Sequence, residues 1–508
     1  MRPSRILLFL FALLTVAAVA PQDDEIVKEF KKYFRKYKDS ATRVEAVLAL
    51  EGTESLEVVD VLVPILGDAD PEVARSAIRV LSGFKTRPLV DELLLVLAKA
   101  KDVHVRVGIL QAIESGRYSG TKEILAPLLQ DGEWEVRRRT LQALLATEGA
   151  AVAEAVEPLC ADGEVAVRCA ALDGLASVRS GLVVQSAIGN LTEGSWQVRA
   201  SAIHALAIVR HRDSIGPLIG RLEVEEGRLV ADIGQALDEI TGRGFGQRLD
   251  LWKSFWERYG DVFQIPTDEE LAVLREKQRE RKEAYDGKGA GRVNYHGIDT
   301  PSRSILFVID TSGSMEQEVT DRERYEGGGY SSFQRIDIVK TELSRTIQNL
   351  ESYVKFNVLS FATDVKQWKK GLVGANPLNK SSAQTFIQRL EAIGGSSKED
   401  LASAGLFASA NLEAGKTNTF AALMAALQVE ENKKRDDYEV EIDTIFFLSD
   451  GRPSTGKFID TDDILGEVRR VNELRRIVIH TLAIGEFEKD FMMRLAQENG
   501  GVFVDLGK

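Results

Sequence analysis

A repeat of 31 residues constrains the fold of this chain more than any other feature of its sequence. The dipeptide Val-Arg recurs at this interval, at positions 105–106, 136–137, 167–168 and 198–199. Around each pair, apolar or small residues lie at offsets 0, 4, 5 and 8, as in the copy that contains Val105, Ile109, Leu110 and Ile113. These offsets fall on one stripe of an α-helix, so every copy predicts an amphipathic helix.

Each repeat also contains a second apolar segment, for example residues 121–129, and is therefore predicted to be a helix pair. A single pair cannot bury its own apolar stripe, whereas stacked pairs bury a continuous core. The helix pair with its Val-Arg start resembles the short HEAT-like repeats, and this resemblance covers residues 26–260. It implies an N-terminal α-solenoid of about seven repeats, if the weaker copies at Thr42, Val73 and Leu229 are counted.

Three features of the repeats leave alternatives open. The repeated arginines either pair with acidic residues of neighbouring repeats or form a row of ligand-binding side chains. Trp134 and Trp196 each precede a repeated valine by two residues, where they either bind a ligand or cover the groove between helices. Cys160 and Cys169 are either two buried thiols or a disulfide in an oxidising compartment.

Residues 1–20 are typical of a secretory signal peptide. Arg2 and Arg5 precede an apolar run that small residues end, and the run is shorter than the roughly 20 apolar residues that span a bilayer. We therefore expect export to the periplasm, the cell surface or the medium, with no transmembrane span in the mature chain. An uncleaved N-terminal anchor is the alternative. The formal net charge of −13 argues against a nucleic-acid partner.

The composition changes after the repeats. Residues 261–301 are rich in charge and glycine and are predicted to be a linker. Residues 302–508 alternate strand and helix signals, which predicts a doubly wound, mostly parallel α/β domain. Residues 305–309 are apolar throughout, and residues 442–448 end in the apolar run 445–448, as expected of central strands covered on both faces. The predicted fold class is therefore multidomain, an α-solenoid followed by an α/β domain.

Polar side chains follow both of these apolar strands. Asp310, Ser312 and Ser314 come directly after the first, in a turn that Gly313 allows to tighten. Asp450 comes after the second and also precedes a glycine. Hard oxygen ligands that converge at the carboxyl ends of parallel strands suit Mg²⁺ or a similar cation. The sequence therefore predicts a metal site at this edge of the sheet.

The order Asp-x-Ser-x-Ser, then Thr before a helix, then Asp-Gly after a strand closely resembles the von Willebrand factor type A domain and its metal-ion-dependent adhesion site. The resemblance spans residues 302–508. The metal-site residues that it implies are Asp310, Ser312, Ser314, Thr417 and Asp450. By this resemblance the serines would bind Mg²⁺, Mn²⁺ or Ca²⁺ directly, the threonine directly or through water, and the aspartates through bound waters. The remaining coordination position would accept an Asp or Glu carboxylate of a protein partner.

This sequence departs from the family pattern in two places. Lys416 precedes the threonine where many relatives have glycine, and its ammonium group would either steer an incoming carboxylate or weaken cation binding. The long polar segment 316–334 contains Tyr325 and Tyr330 and is either a partner-selecting loop or a disordered insertion. We therefore take these three side chains as candidate partner-binding residues.

Two enzymatic alternatives compete with simple binding. Residues 410–417 fit a relaxed phosphate-loop pattern that would bind a nucleotide, although that chemistry needs a strand leading into the loop. Asp310 and Asp450 around Mg²⁺ would otherwise serve a metal-assisted hydrolase. We favour an exported, non-enzymatic binding or scaffold protein, and the combination of domains resembles proteins of bacterial surface or periplasmic assemblies.

Overall fold

A computed structural model describes residues 20–284, 293–295, 297–392, 415–428, 438, 440–450, 452–485 and 488–506. The chain divides into two compact units, Met1–Leu182 and Val183–Lys508. The described part of the first unit is helical, and the second unit continues from helices into an α/β sheet. The predicted order of a helical region followed by a mostly parallel α/β sheet is confirmed. Residues 1–19 of the predicted signal peptide and the glycines at 287–291 lie outside the described residues.

The described part of the first unit contains ten α-helices. They are α1 (Ala20–Lys36), α2 (Ser40–Leu48), α3 (Leu56–Leu62), α4 (Pro71–Ser82), α5 (Arg87–Lys99), α6 (Val103–Gly116), α7 (Lys122–Leu125), α8 (Trp134–Glu148), α9 (Ala153–Val156) and α10 (Val165–Ser177). Acidic side chains start several of them; Asp102, for example, accepts the backbone N–H groups of His104 and Val105 at the start of α6. The predicted stripe on α6 is buried at Ile109 and Ile113.

Arginines of the repeats bind acidic residues 25 or 26 positions later, in the turn before the next repeated helix. The pairs are Arg43–Asp68, Arg106–Asp131 and Arg137–Asp162 in the first unit and Arg199–Glu225 in the second. In the third of these pairs both nitrogen–oxygen distances are short, 2.8 Å for Nε–Oδ2 and 2.7 Å for Nη2–Oδ1. For these arginines the ion-pair interpretation is confirmed. Cys160 and Cys169 are buried thiols, and no disulfide joins them.

The second unit begins with six α-helices. They are α11 (Val183–Asn190), α12 (Trp196–Val209), α13 (Ile215–Val224), α14 (Leu229–Thr241), α15 (Leu249–Tyr259) and α16 (Asp268–Ala284). On α15, Trp252 is fully buried and its ring lies edge-on to those of Phe245 and Phe255. Phe245, Trp252 and Phe255 therefore form one aromatic cluster.

The described part of the α/β module contains nine strands and five further helices. The strands are β1 (Val293–Tyr295), β2 (Ile298–Thr300), β3 (Ser304–Asp310), β4 (Lys355–Phe361), β5 (Val365–Gln367), β6 (Val373–Gly374), β7 (Thr444–Ser449), β8 (Val478–Ala483) and β9 (Phe503–Asp505). The helices are α17 (Arg335–Asn349), α18 (Pro377–Gln388), α19 (Thr419–Ala426), α20 (Thr461–Arg475) and α21 (Lys489–Glu498).

The main sheet has the strand order β5-β4-β3-β7-β8-β9, and β6 also pairs with β4. Strands β4, β3, β7, β8 and β9 are parallel, while β5 and β6 are antiparallel to β4. Because β3 and β7 are parallel neighbours, with Ile309 opposite Leu448, their carboxyl ends meet at one edge of the sheet. The predicted metal-binding side chains that come after β3 and after β7 therefore lie at that edge.

The sheet is covered by helices on both faces. Phe307 on β3 packs into one core layer with α17 and α18, whereas Leu306 and Val308 pack into the opposite layer with α19, α20 and α21. Successive side chains of a strand point to opposite faces, so a strand buried on both faces must be apolar at every position. This explains the unbroken apolar run at residues 305–309.

Two elements of the module were not predicted from the sequence. The hairpin of β1 and β2 falls within the segment that was predicted to be a linker. Its Tyr295 is fully buried and lies edge-on to Phe307 and Phe446, with ring centroids 5.4 Å away in each case. Helix α21 was also missed. The hairpin therefore forms part of the core of the α/β module.

Within the second unit, the helices at its start contact the amino-terminal end of β7. The indole N–H of Trp196 donates to the carbonyl of Val440 (3.2 Å), and the guanidinium group of Arg228 lies over the indole ring at 5.4 Å. Arg228 also donates to the carbonyl of Asp443 (3.4 Å), one residue before β7. Trp196 thus packs against the module, and β7 is held at the end opposite to Asp450.

Candidate metal site

Three segments that are far apart in the sequence meet at the carboxyl edge of the sheet. The backbone N–H of Gly313 donates to the carbonyl of Gly415 (3.1 Å), which joins the turn after β3 to the segment before α19. The Ser314 hydroxyl donates to Oδ1 of Asp450 (2.8 Å), which joins the same turn to the end of β7. The structure therefore brings together the three segments that the sequence analysis selected.

Asp310 is fully buried and both of its carboxylate oxygens accept hydrogen bonds from the protein. The Ser312 backbone N–H donates to Oδ1 (2.8 Å), and the Ser449 hydroxyl donates to Oδ2 (2.5 Å). Ser449 was not predicted as a site residue. Its signal is a serine at the last position of an apolar strand, directly before Asp450, where a small hydroxyl side chain reaches the neighbouring strand.

Hydroxyl oxygens line the site beside the carboxylates. Ser312 Oγ and Ser314 Oγ lie 3.2 Å apart, close to the separation of about 3.0 Å between adjacent oxygens of octahedral Mg²⁺. Thr417 is buried, and its position is fixed because its N–H donates to Ser454 Oγ and its carbonyl accepts the Ser454 N–H, both at 2.9 Å. The hydroxyl pair therefore has a spacing that suits a small hard cation.

Arg335, at the first position of α17, is a site residue that the sequence analysis missed. Its Nη1 donates to Oδ2 of Asp450 (2.8 Å) and to the carbonyl of Ser314 (3.5 Å), and only 5% of its side chain is exposed. The guanidinium group packs on Gly485, which has a φ of +88°; a Cβ atom there would lie 2.2 Å from Arg335 Cζ. The available sequence signal was a basic residue at the start of a predicted amphipathic helix.

The electrostatics of the buried carboxylates favour a bound cation. Burial, and then the neighbouring Asp450, raises the pKa of Asp310 to about 7. Burial also raises the pKa of Asp450, although the hydrogen bonds from Arg335 and Ser314 oppose this. A cation would stabilise both ionised carboxylates, and the donor set of carboxylate and hydroxyl oxygens matches the preference of Mg²⁺, Mn²⁺ and Ca²⁺. The residues present therefore fit the ion.

Metal sites built from clustered His, Cys, Asp or Glu side chains were also sought in the part of the chain that the structure describes. No group of three or more His, Cys, Asp or Glu side chains there is arranged to hold a metal ion. The oxygen-rich site differs from such a cluster because it combines only two carboxylates with hydroxyl groups. Zinc-type ligation with histidine or cysteine has no counterpart among these residues.

The three candidate partner-binding residues differ in their surroundings. Lys416 is half-buried beside Thr417. Tyr325 is buried, and its hydroxyl donates to the carbonyl of Leu506 (2.5 Å), while Tyr330 packs edge-on against it with ring centroids 5.7 Å apart. The two tyrosines thus hold segment 316–334 against the core, and we retain only Lys416 as a candidate contact for a partner.

The phosphate-loop alternative requires free backbone N–H groups at residues 416–418. All three are already donors to protein acceptors. The bonds are Lys416 to Thr363 Oγ1 (3.2 Å), Thr417 to Ser454 Oγ (2.9 Å) and Asn418 to the carbonyl of Ala362 (2.9 Å). These groups are therefore not available to bind a phosphate in this arrangement. Ala410 and the residues next to it lie outside the described residues.

Comparison with known protein families agrees with this architecture. The family model described as the von Willebrand factor type A domain matches residues 328–505. The α/β module is a von Willebrand factor type A domain. The match begins after β3, so the Asp310–Ser314 turn is assigned to the von Willebrand factor type A domain by its place in the sheet.

Curated proteins with similar sequence include two human inter-alpha-trypsin inhibitor heavy chains. Heavy chain H4 is 25% identical over 209 residues, which are 41% of this chain and 18% of that protein. Heavy chain H2 is 26% identical over 242 residues, which are 46% of this chain and 22% of that protein. The chain therefore spans about a fifth of the length of these curated relatives.

Solved structures also include similar chains. A von Willebrand factor type A protein from Catenulispora acidiphila aligns with a TM-score of 0.28 at 16% identity, over 41% of this chain and 39% of that chain. Within the described residues, no helix is both long enough and apolar enough to cross a bilayer.

Proposed function

We propose that this chain is an exported binding or scaffold protein whose von Willebrand factor type A domain binds a divalent cation and, through it, a carboxylate of a protein partner. The observation that carries the proposal is the convergence of Asp310, Ser312, Ser314 and Asp450 in one hydrogen-bonded cluster, which the Gly313–Gly415 backbone bond links to the segment of Thr417. These are oxygen donors from three separate segments. A purely structural turn would not need two buried carboxylates at the same point.

Each side chain has a distinct part in this proposal. The hydroxyls of Ser312, Ser314 and Thr417 hold the cation, and Asp310 and Asp450 orient those hydroxyls and supply negative charge. When bound, the cation supplies an open coordination position that accepts an outside carboxylate. Because few direct ligands are anionic, the cation stays a strong acceptor of that carboxylate. Mg²⁺ is the preferred ion, with Mn²⁺ or Ca²⁺ as alternatives.

The same proposal assigns parts to the rest of the chain. Residues 1–20 are the export signal, residues 26–260 form HEAT-like repeats that offer a second docking surface, and residues 302–508 carry the metal site. Residues 261–301 were predicted to be a linker, but the β1–β2 hairpin within them belongs to the module. Tyr295 packs in the core of the module, so any fragment of it must begin before residue 293. For this reason the full chain is the material for the tests below.

Calorimetric titration of the full chain with Mn²⁺ tests the metal site. We expect one site per chain, and we expect Asp310→Ala and Ser312→Ala to abolish uptake because each removes an oxygen of the cluster. Ser381→Ala, on the exposed face of α18, is the matched control and should bind like the wild type. Equal uptake by all four proteins would contradict the proposal.

Binding of a partner is tested by the dependence of capture on the metal. Immobilised full chain should retain an acidic protein from the exported fraction in Mg²⁺, and EDTA or Asp310→Ala should release it. Millimolar acetate should compete, because it presents the same carboxylate. Retention that is unaffected by EDTA would refute the metal-mediated mode, and phosphoester turnover lost in Asp310→Ala would favour the hydrolase alternative.

A further inference from the structure

The buried guanidinium group of Arg335 is the unusual component of this metal site. Its side chain is 5% exposed and that of Asp450 is 0% exposed, and the two are joined at 2.8 Å. The buried Nε atom of Arg335 has no hydrogen-bond partner among the described residues. Gly485 leaves space for the guanidinium group, since a Cβ atom at that position would overlap it. The fold therefore holds a fixed positive charge directly behind a carboxylate of the site.

The charges of the buried groups at the site can be counted. Asp310, Asp450 and Arg335 are all buried, so solvent screens them weakly. With both carboxylates ionised (−2) and one guanidinium group (+1), the formal charges sum to −1 before a metal ion binds. A divalent cation changes the sum to +1, and one outside carboxylate brings it to zero. Without Arg335, the two carboxylates alone would neutralise the metal ion.

We propose that Arg335 is a built-in positive charge that weakens metal binding in the absence of a ligand and makes the loaded site require one anionic ligand. This inference rests on the metal site proposed above and specifies its partner chemistry, a single carboxylate. Arg335 is a positioning residue, because it contacts Asp450 and acts on the cation through it. The metal ion and the outside carboxylate then bind cooperatively. The cation leaves a net charge of +1, which the carboxylate neutralises, so each ligand makes the binding of the other more favourable.

Titration of four full-length proteins with Mn²⁺ tests the charge count. The formal charge of the metal-free site is −1 in the wild type, −2 in Arg335→Gln, 0 in Asp450→Asn and −1 in the double variant. We expect Arg335→Gln to bind Mn²⁺ at least about tenfold more tightly than the wild type, and Asp450→Asn at least about tenfold more weakly. The double variant should lie between the two single variants. Arg335→Lys keeps the charge and should bind like the wild type.

Acetate gives a second readout that a merely structural arginine would not affect. Acetate should raise the Mn²⁺ affinity of the wild type several-fold and should have less than about twofold effect on Arg335→Gln, whose loaded site is already neutral. The exposed Arg389→Gln, at the end of α18, is the matched control and should behave like the wild type.

The outcomes separate this inference from the metal site itself. If Arg335→Gln binds Mn²⁺ no more tightly than a wild type that does bind it, only the proposed role of Arg335 is overturned and the metal site stands. If neither the wild type nor any variant takes up Mn²⁺, both proposals are overturned. If Arg335→Gln does not fold, the double variant decides the question, because neither member of the Arg335–Asp450 ion pair is left without its partner; binding no tighter than that of Asp450→Asn then overturns the inference.

Discussion

The ion pair between Arg137 and Asp162 provides a quantitative test of how the helical repeats are joined. Two nitrogen–oxygen contacts of 2.8 and 2.7 Å connect the side chains, which are 17% and 7% exposed. Asp162 also accepts the backbone N–H of Glu164 (2.8 Å) in the turn before α10. Asp162→Asn keeps the shape and the acceptor for that N–H but removes the charge. We expect it to cost about 1–2 kcal/mol, as for a shielded, charge-assisted hydrogen bond.

Hydrogen exchange resolved by peptide is the appropriate assay, because the chain has two compact units and a single unfolding curve would mix them. A loss of about 1–2 kcal/mol corresponds to a fall in protection of about 5- to 30-fold in peptides from α8 and α10. Peptides from the second unit should keep their protection.

The pair of Arg79 and Glu51 is the matched control, since it has the same two-contact geometry, at 3.2 and 3.1 Å. Its side chains are 64% and 49% exposed, so Glu51→Gln should cost less than about 1 kcal/mol. Equal losses from Glu51→Gln and Asp162→Asn would refute the argument that burial gives the repeated pairs their strength.

The pH dependence of Asp162→Asn has a definite sign. Burial raises the pKa of Asp162, but the hydrogen bonds from Arg137 and the Glu164 backbone outweigh it and hold that pKa below its usual range. A carboxylate of this kind stabilises the fold above its unfolded pKa of about 4 and loses that stabilisation as the pH falls below it. The difference between wild type and Asp162→Asn should therefore shrink in acid, and a constant difference would contradict this.

Three further predictions concern the second unit and are checked by hydrogen exchange of the full chain, measured in peptides from that unit. Ser449→Ala removes the donor to Asp310 Oδ2 and should cost about 1–3 kcal/mol, with Ser381→Ala as the neutral control. Gly485→Ala should cost more than about 1 kcal/mol, because φ is +88° and the new Cβ would overlap Arg335; unchanged protection of the second unit would refute this. Burial, and then a nearby arginine, lowers the pKa of His480 to about 4. Stability present above pH 6.5 should therefore fall by about 3 kcal/mol towards pH 4, and this slope should flatten in His480→Gln.

Most of the architecture was predictable because its signals are local and repeated. The stripe around Val105 and Ile109 has the period of a helix, and the apolar run before Asp310 has the composition of a strand buried on both faces. The hairpin of β1 and β2 was not predictable in the same way. Each of its strands has only three residues, which is too short for a clear pattern. Tyr295 is a core residue because its ring packs against Phe307 and Phe446, and the local sequence does not indicate those contacts.

The candidate site was only partly predictable. Asp310, Ser314 and Asp450 follow strand signals and could be selected from order alone, and the structure brings them together. Ser449 and Arg335 have only weak sequence signals. A serine that ends a strand and an arginine that begins a helix are common, and their contacts with the two aspartates depend on strand order and helix placement. The burial of Tyr325 has the same origin, because its hydroxyl reaches the last described strand region at Leu506.

The sequence by itself determined the helical repeats, the alternation of strands and helices and the identity of the oxygen donors, because periodicity and short-range order are written along the chain. Only the tertiary structure decided which charges share the buried site, since that depends on residues more than a hundred positions apart, as Arg335 and Asp450 are. Burial then determines how strongly these charges act on one another. The same guanidinium group in water would be screened, whereas beside a buried carboxylate its charge is screened only weakly.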